Sequence, residues 1–144
     1  MFKDAHSFNK FINNWNPYQG ENFSYMFQNA RAFNNGGLSY FHWNVGSGTN
    51  FSGMFNNAVA FNADIYGWNV GSGTNFSGMF NNAVAFNRVL QWDVSNGTDF
   101  SEMFKNAIAF NDLLFDWDVS SATDFNQMFY GATLFNRDIG SWDV

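Results

Sequence analysis

The chain has 144 residues, about the size of one domain, of which 12% are charged, 46% hydrophobic and 22% aromatic. That is too apolar for a disordered segment, yet no apolar run reaches the roughly 18 residues of a membrane span, and no basic stretch followed by an apolar one reads as a signal peptide. Without cysteine there is no disulfide framework, thiol nucleophile or cysteine-based metal site, and a net charge of −6 repels phosphate backbones, which argues against a nucleic-acid partner.

Internal repetition organises everything else. Met-Phe recurs at 1, 26, 54, 79, 103 and 128, and Trp at 15, 43, 68, 92, 117 and 142, in steps of 28, 24 or mostly 25 residues. Three Phe columns accompany them: one after each Met, one before an Asn seven residues past the Met, and one three residues ahead of the next Met. The unit reads M-F-x-x-A-x-x-F-N, a variable stretch, an aliphatic or aromatic residue, two residues, W-[ND]-V, then five residues to an aromatic F-S. Residues 43–62 and 68–87 are identical, as a recent duplication would leave them.

In chain order the units are 1–25, 26–53, 54–78, 79–102, 103–127 and an incomplete 128–144. A unit this short cannot bury its aromatic set alone, so the expected fold is a repeat solenoid, with stacked coils of short parallel β-strands plus a short helical turn around a Phe/Trp/Met core. Within a coil, Ile65, Trp68 and Val70 (or Leu114, Trp117 and Val119) suggest one short strand and Thr74-Asn75-Phe76 a second. Met79, Ala83 and Phe86, at i, i+4 and i+7, suggest one face of a helical turn. All length variation falls between Phe-Asn and Trp, including three extra residues near Asn35-Gly36-Gly37, so that stretch is expected to be a tolerant outer loop. The core is assigned to Trp43, Trp68, Trp92, Trp117, Met54, Phe55, Phe61, Met79, Phe80, Phe86, Met103, Phe104 and Phe110.

Trp117-Asp118-Val119-Ser120 through Met128-Phe129, and Phe135-Asn136-Arg137-Asp138-Ile139-Gly140-Ser141-Trp142-Asp143-Val144, resemble the surface-protein repeat of about 25 residues found in bacterial and mycoplasma lipoproteins, related to BspA-like leucine-rich repeats. The resemblance spans essentially the whole chain. It departs where the family often has an aliphatic residue and this chain has Gly48, Gly73, Gly97 or Ala122, and where the family has Met and this chain has Phe51 or Phe76. What the resemblance implies is a leucine-rich-repeat-like scaffold, exported and interaction-prone, with no particular ligand.

No catalytic set is evident. His6 and His42 do not recur and have no Ser, Cys or ligand partner at a motif spacing. Carboxylate pairs such as Asp116 and Asp118, or Asp93 and Asp99, lack the cleft that glycoside hydrolysis needs. Gly-Ser-Gly at 46–48 and 71–73 reads as tight turns, with no phosphate-loop Lys following. The chain is therefore not expected to be an enzyme or to need a cofactor.

The acidic residues concentrate in the second half, where the column after Trp changes from Asn16, Asn44 and Asn69 to Asp93, Asp118 and Asp143, and a second column from Asn22, Asn50 and Asn75 to Asp99 and Asp124. Stacked carboxylates invite calcium at Asp93, Asp99, Asp118, Asp124 and Asp143, but Asx residues bonded to turn backbone are the plainer reading, and no metal is expected. The Asn of each Phe-Asn pair (Asn34, Asn62, Asn87, Asn111, Asn136) is expected to form a ladder at a corner. Thr49, Thr74, Thr98 and Thr123 make a sparse column for ice or glycan binding. Sequons place possible glycans at Asn22, Asn50, Asn75 and Asn96. Tyr18, Tyr40, Tyr66 and Tyr130 lie outside the invariant columns and could bind protein or sugar.

The expected function is a non-catalytic extracellular or cell-surface scaffold for adhesion or protein interaction, read as one slice of a longer repeat array. Its partners would be a protein or glycan at a cell surface, or other copies of itself. The alternatives are a structural protein that assembles head to tail into filaments through uncapped coil ends, and a glycan- or ice-binding flat coil face.

Overall fold

A computed structural model describes residues 1–144. Regular secondary structure is nearly absent: the one helical element is a 3-10 turn over Asn35–Gly37. Parallel pairing is confined to single-residue bridges, which run Asn22 to Asn50 to Asn75 to Asp99 to Asp124, with one more between Tyr40 and Asp64. The strand expected around Ile65, Trp68 and Val70 does not form, and the one expected around Asn75 shrinks to a bridge.

The expected helical turn over Met79 to Phe86 is also absent, for a reason visible in its hydrogen bonds. The N–H groups of Phe76, Gly78, Phe80 and Asn82 donate to the carbonyls of Asp99, Ser101, Met103 and Lys105 in the next unit. Those of Met79, Asn81 and Ala83 donate three residues back, to Phe76, Gly78 and Phe80. An α-helix would direct every N–H four residues back along its own segment. Here alternate donors hold the neighbouring unit instead, and the intervening ones close tight turns.

That alternation requires a left-handed residue twice per unit. The residue before Met (Tyr25, Gly53, Gly78, Glu102, Gln127) and the third after it (Asp4, Asn29, Asn57, Asn82, Asn106, Gly131) all have φ between 54° and 71°. Gly, Asn and Asp tolerate this region best, which accounts for the whole of the second column.

Packing follows the same period. Phe2, Phe27, Phe55, Phe80, Phe104 and Phe129 stack with centroids 5.3 to 5.7 Å apart. Phe8, Phe33, Phe61, Phe86, Phe110 and Phe135 form a second stack, and Phe23, Phe51, Phe76, Phe100 and Phe125 a third. Within each unit the first two stacks touch, as Phe55 and Phe61 do at 3.9 Å. The result is one cluster of 34 buried residues. It contains every core residue named from the sequence, with Trp68 3% exposed and Met54, Phe55, Phe61, Met79 and Phe86 at 0%.

The tryptophans are buried without orphaning their indole N–H. Each reaches back to a carbonyl of the preceding unit: Trp43 to Ile12, Trp68 to Phe41, Trp92 to Ile65 and Trp117 to Leu90. A buried donor left unpaired would cost about 1–3 kcal/mol, so these bonds fix where each Trp can sit.

Two sequence features acquire reasons. A Cβ on Gly73 would lie 2.5 Å from the ring of Phe76, and one on Gly48 equally close to the ring of Phe51, so the small residue and the large ring exchange volume three positions apart. The inserted Asn35-Gly36-Gly37 is not simply an outer loop: Asn35 is fully buried. Its Oδ1 accepts from the N–H of Ile12, and its Nδ2 donates to Asn13 Oδ1 and the Tyr40 carbonyl. The insertion thus pins two units together.

Candidate functional site

The polar columns are largely consumed by the fold. Along the Phe-Asn column, the backbone N–H of each Asn donates to the side-chain oxygen of the previous one: Asn34 to Asn9, Asn62 to Asn34, Asn87 to Asn62, Asn111 to Asn87 and Asn136 to Asn111, at 2.9 to 3.0 Å. A second ladder links left-handed residues by their side chains, Asn29 to Asp4, Asn57 to Asn29 and Asn106 to Asn82. The Thr hydroxyls of 74, 98 and 123 each donate to the carbonyl of the preceding Thr, and Thr49 donates to Glu21. Hydroxyls committed to backbone lose part of their capacity to order ice or bind a sugar.

The Asx columns make local turns. Asn44 and Asn69 accept from the N–H of Gly46 and Gly71, while Asp93 and Asp118 accept from both the N–H and the hydroxyl of Ser95 and Ser120. The hydroxyl bonds, with the N–H bonds second, hold the Asp93 and Asp118 carboxyls below their ordinary pKa. For Asp93 these bonds outweigh both desolvation and repulsion from Asp118. Asp99 and Asp124 likewise accept from Ser101 and Asn126. No three His, Asp or Glu side chains converge into a cation cage.

The structure does not gather the four tyrosines. Tyr18, Tyr40, Tyr66 and Tyr130 are 52%, 40%, 52% and 65% exposed, and no ring pair joins any two of them. Tyr40 packs instead against His42 at 4.9 Å, and Lys105 lies over the Tyr130 ring. His6 bonds the Asn29 carbonyl through Nδ1. Among the sequons, Asn22 and Asn96 are exposed and Asn50 and Asn75 half-buried; Asn96 Nδ2, the atom a glycan would modify, donates to the Gly71 carbonyl.

Three concave regions remain, none assigned from the sequence, and one of them, of about 390 Å³, is lined by His42, Trp43, Asn44, Gly67 and Asn69. A polar groove of about 240 Å³ crosses three unit boundaries between Tyr25 and Glu102, floored by Gly53, Asn56, Ser77, Gly78 and Ser101. Asn81 and Lys105 hold the Glu102 carboxylate at 2.8 and 2.9 Å. It exists because the column before Met carries a ring, two glycines and an acid in succession; that succession was the available signal in the sequence. An apolar concavity of about 550 Å³ lies on the face of the last unit, lined by Phe125, Met128, Phe129, Ile139, Trp142 and neighbours. These rings continue columns that are fully buried further in, but here they are only half-buried.

Comparison with known proteins places the repeat in a family. Residues 1–41, 38–91 and 87–144 match, in tandem, the family described as "Mycoplasma protein of unknown function, DUF285". No curated protein and no solved structure matches the chain.

Proposed function

The chain belongs to the DUF285 family, and from that premise we propose that it is a non-catalytic scaffold displayed at a cell surface, where it presents a regular face for adhesion or protein interaction. The proposed architecture is a solenoid related to the leucine-rich repeats, each unit forming one coil. One observation carries the reading: almost every recurring side chain is spent on holding units together, and the tyrosines that do not recur between units are exposed. The Phe, Met and Trp columns are buried, the Asn and Thr columns bond backbone, and Tyr18, Tyr40, Tyr66 and Tyr130 stand outward on that frame. Tyrosine brings a large contact area and a polar tip at a small entropic cost, which suits it to protein or glycan recognition.

The test has two parts. Antibody against residues 1–144 should label intact cells that produce the protein, and protease applied to those cells should remove the label. A variant with Tyr18, Tyr40, Tyr66 and Tyr130 all changed to Ser should lose adhesion of those cells to host-cell monolayers while keeping its thermal midpoint. Labelling only after lysis, or undiminished adhesion by the four-Tyr variant, would overturn the reading.

A further inference from the structure

The polar groove between Tyr25 and Glu102 offers a ligand no free backbone. The N–H groups of Gly53 and Gly78 donate to the Ser77 and Ser101 carbonyls, and their own carbonyls accept from Asn56 and Asn81, so a peptide finds no strand edge to extend. Side chains remain, and the fold has fixed which of them give and which accept. The hydroxyls of Ser77 and Ser101 donate to Asn75 Oδ1 and Asp99 Oδ1 at 2.7 and 2.6 Å, which leaves their lone pairs to accept. Asn57 Nδ2 donates to Asn56 Oδ1 at 2.8 Å; the Asn56 Nδ2 oriented by that bond donates to no group of the chain and would lie 3.8 Å from a Cβ on Gly78. The two ends are built differently. Tyr25, 46% exposed, leans its ring over Gly53, where a Cβ would lie 2.5 Å from Cδ1. Glu102 is held by Lys105 and by Asn81, which is itself 7% exposed. Tyr25 and Glu102 have φ of 54° and 55° where the two units between them carry glycine, so the fold accepts backbone strain to set a ring and a carboxylate at the two ends.

We propose that this groove binds a single neutral sugar ring, such as the terminal hexose of a glycan. Tyr25 covers an apolar C–H face of the sugar, Asn56 Nδ2 donates to a hydroxyl oxygen, and the Ser77 and Ser101 hydroxyl oxygens and the Glu102 carboxylate accept from hydroxyl hydrogens. A polyol both gives and accepts hydrogen bonds at adjacent atoms, which is the complement of this lining. Charge selects against ionic ligands: Lys105 Nζ lies 2.9 Å from the Glu102 carboxylate, so neither a cation nor an anion finds an uncompensated partner. Size selects one ring, because about 240 Å³ falls below the roughly 300–1,000 Å³ of pockets that hold drug-sized ligands. The site is separate from Tyr18, Tyr40, Tyr66 and Tyr130. It gives the recognition scaffold proposed above a ligand class, and it rests on that reading only in treating the chain as a binding protein, not on display at a cell surface.

Titration of the purified chain with glucose, galactose, mannose and N-acetylglucosamine, followed by amide proton–nitrogen NMR, tests it. At least one of these sugars should shift the Gly53 and Gly78 backbone amides and the Asn56 side-chain amide together, and saturably, with a Kd on the order of 1 mM. Gly78→Asn fills the floor with a residue that tolerates positive φ, and its Cβ meets nothing closer than 3.8 Å; Tyr25→Gly removes the ring and suits the backbone there. Each should weaken the binding roughly fivefold or more while the cooperative melt is retained, whereas Tyr25→Phe, which keeps the ring, should leave it within about twofold. Lysine amide and N-acetylneuraminic acid serve as cationic and anionic probes. No shift with any of the four neutral sugars would overturn the proposal, as would shifts undiminished in Gly78→Asn and Tyr25→Gly, or a response to a charged probe alone. Because no cells are involved, these outcomes are separable from those of surface labelling and adhesion: the groove can fail while intact cells still label, and can bind sugar when they do not.

Discussion

The duplicated interior units and the last unit carry the same columns with opposite consequences. In residues 43–87 Phe55, Phe61, Phe80 and Phe86 are all 0% exposed and Trp68 is 3% exposed. In residues 125–144 their counterparts Phe129, Phe135 and Trp142 pack on the core from one side only. Burial in this protein is therefore a property of having two neighbours, and the identity of a residue sets only how much it can gain from them. Stability in such an array approximates a sum of unit terms and nearest-neighbour interfaces.

The largest expected effect exploits that difference. Trp68→Ala removes a ring sandwiched between units and leaves a cavity, with an expected loss of about 3–5 kcal/mol. Trp142→Ala, on the half-covered unit, is expected to cost less than half as much. Both are read from chemical denaturation; equal losses would show that the units do not differ in packing.

A second effect sharpens the interior side. Gly73→Val pushes a side chain against the Phe76 ring, where even a Cβ would lie 2.5 Å away, and overpacking of this kind costs about 1–3 kcal/mol. Adding Phe76→Met should recover most of the loss. Strictly additive costs in the double variant would break the proposed exchange of volume.

Next in size are the left-handed positions. Gln127, at φ 55°, occupies a place that Gly holds in the duplicated units, and its side chain makes no hydrogen bond within the chain. A non-Gly residue there costs about 1–2 kcal/mol, partly offset by the greater chain entropy of Gly. Gln127→Gly should therefore raise the thermal midpoint slightly, whereas Gly53→Ala should lower it, because the added Cβ also meets the Tyr25 ring. A lower midpoint for Gln127→Gly would mean that its side chain contributes something the backbone geometry hides.

These cases show which parts of the structure can be read in the letters. The core columns were legible because apolar identity and period together demand burial. The Asn ladder was legible because an amide at an invariant spacing has few other uses. The helical turn was misjudged: Met79, Ala83 and Phe86 share one face at a spacing of 3.6, but the same spacing also fits a chain of turns whose alternate N–H groups leave the segment. The distinguishing signal was the Asn and Gly column at Asn29, Asn57, Asn82, Asn106 and Gly131, since left-handed residues at fixed spacing interrupt a helix. Buried Asn35 was misjudged because an insertion beside two glycines reads as a solvent-exposed loop, and two of its three bonds, to Ile12 and Asn13, connect residues too far apart in sequence to be paired by inspection. The polar groove was missed although the succession Tyr25, Gly53, Gly78, Glu102 was there to read, because the groove depends on side chains that are absent at Gly53 and Gly78.

The smallest effect concerns charge. Asp93 and Asn69 occupy equivalent positions and both accept a backbone N–H two residues on, so the turn itself does not need a charge. What the carboxylate adds is the Ser95 hydroxyl bond, the first cause of its lowered pKa. A folded-state pKa below the unfolded one contributes stability that is present above the unfolded value, near 3.9 for Asp, and is lost as pH falls through the folded value. Asp93 and Asp118 should therefore weaken the fold slightly on acidification below about pH 4, by little because both groups are exposed to solvent. Ser95→Ala should move the Asp93 titration upward, as followed by carboxyl carbon NMR, and reduce that acid sensitivity. Asp93→Asn should leave the midpoint at pH 7 nearly unchanged while removing the site's share of the pH dependence. If Ser95→Ala leaves the Asp93 titration where it was, the hydroxyl is not the cause, and the acidic columns of the second half would differ from the Asn columns of the first in charge alone.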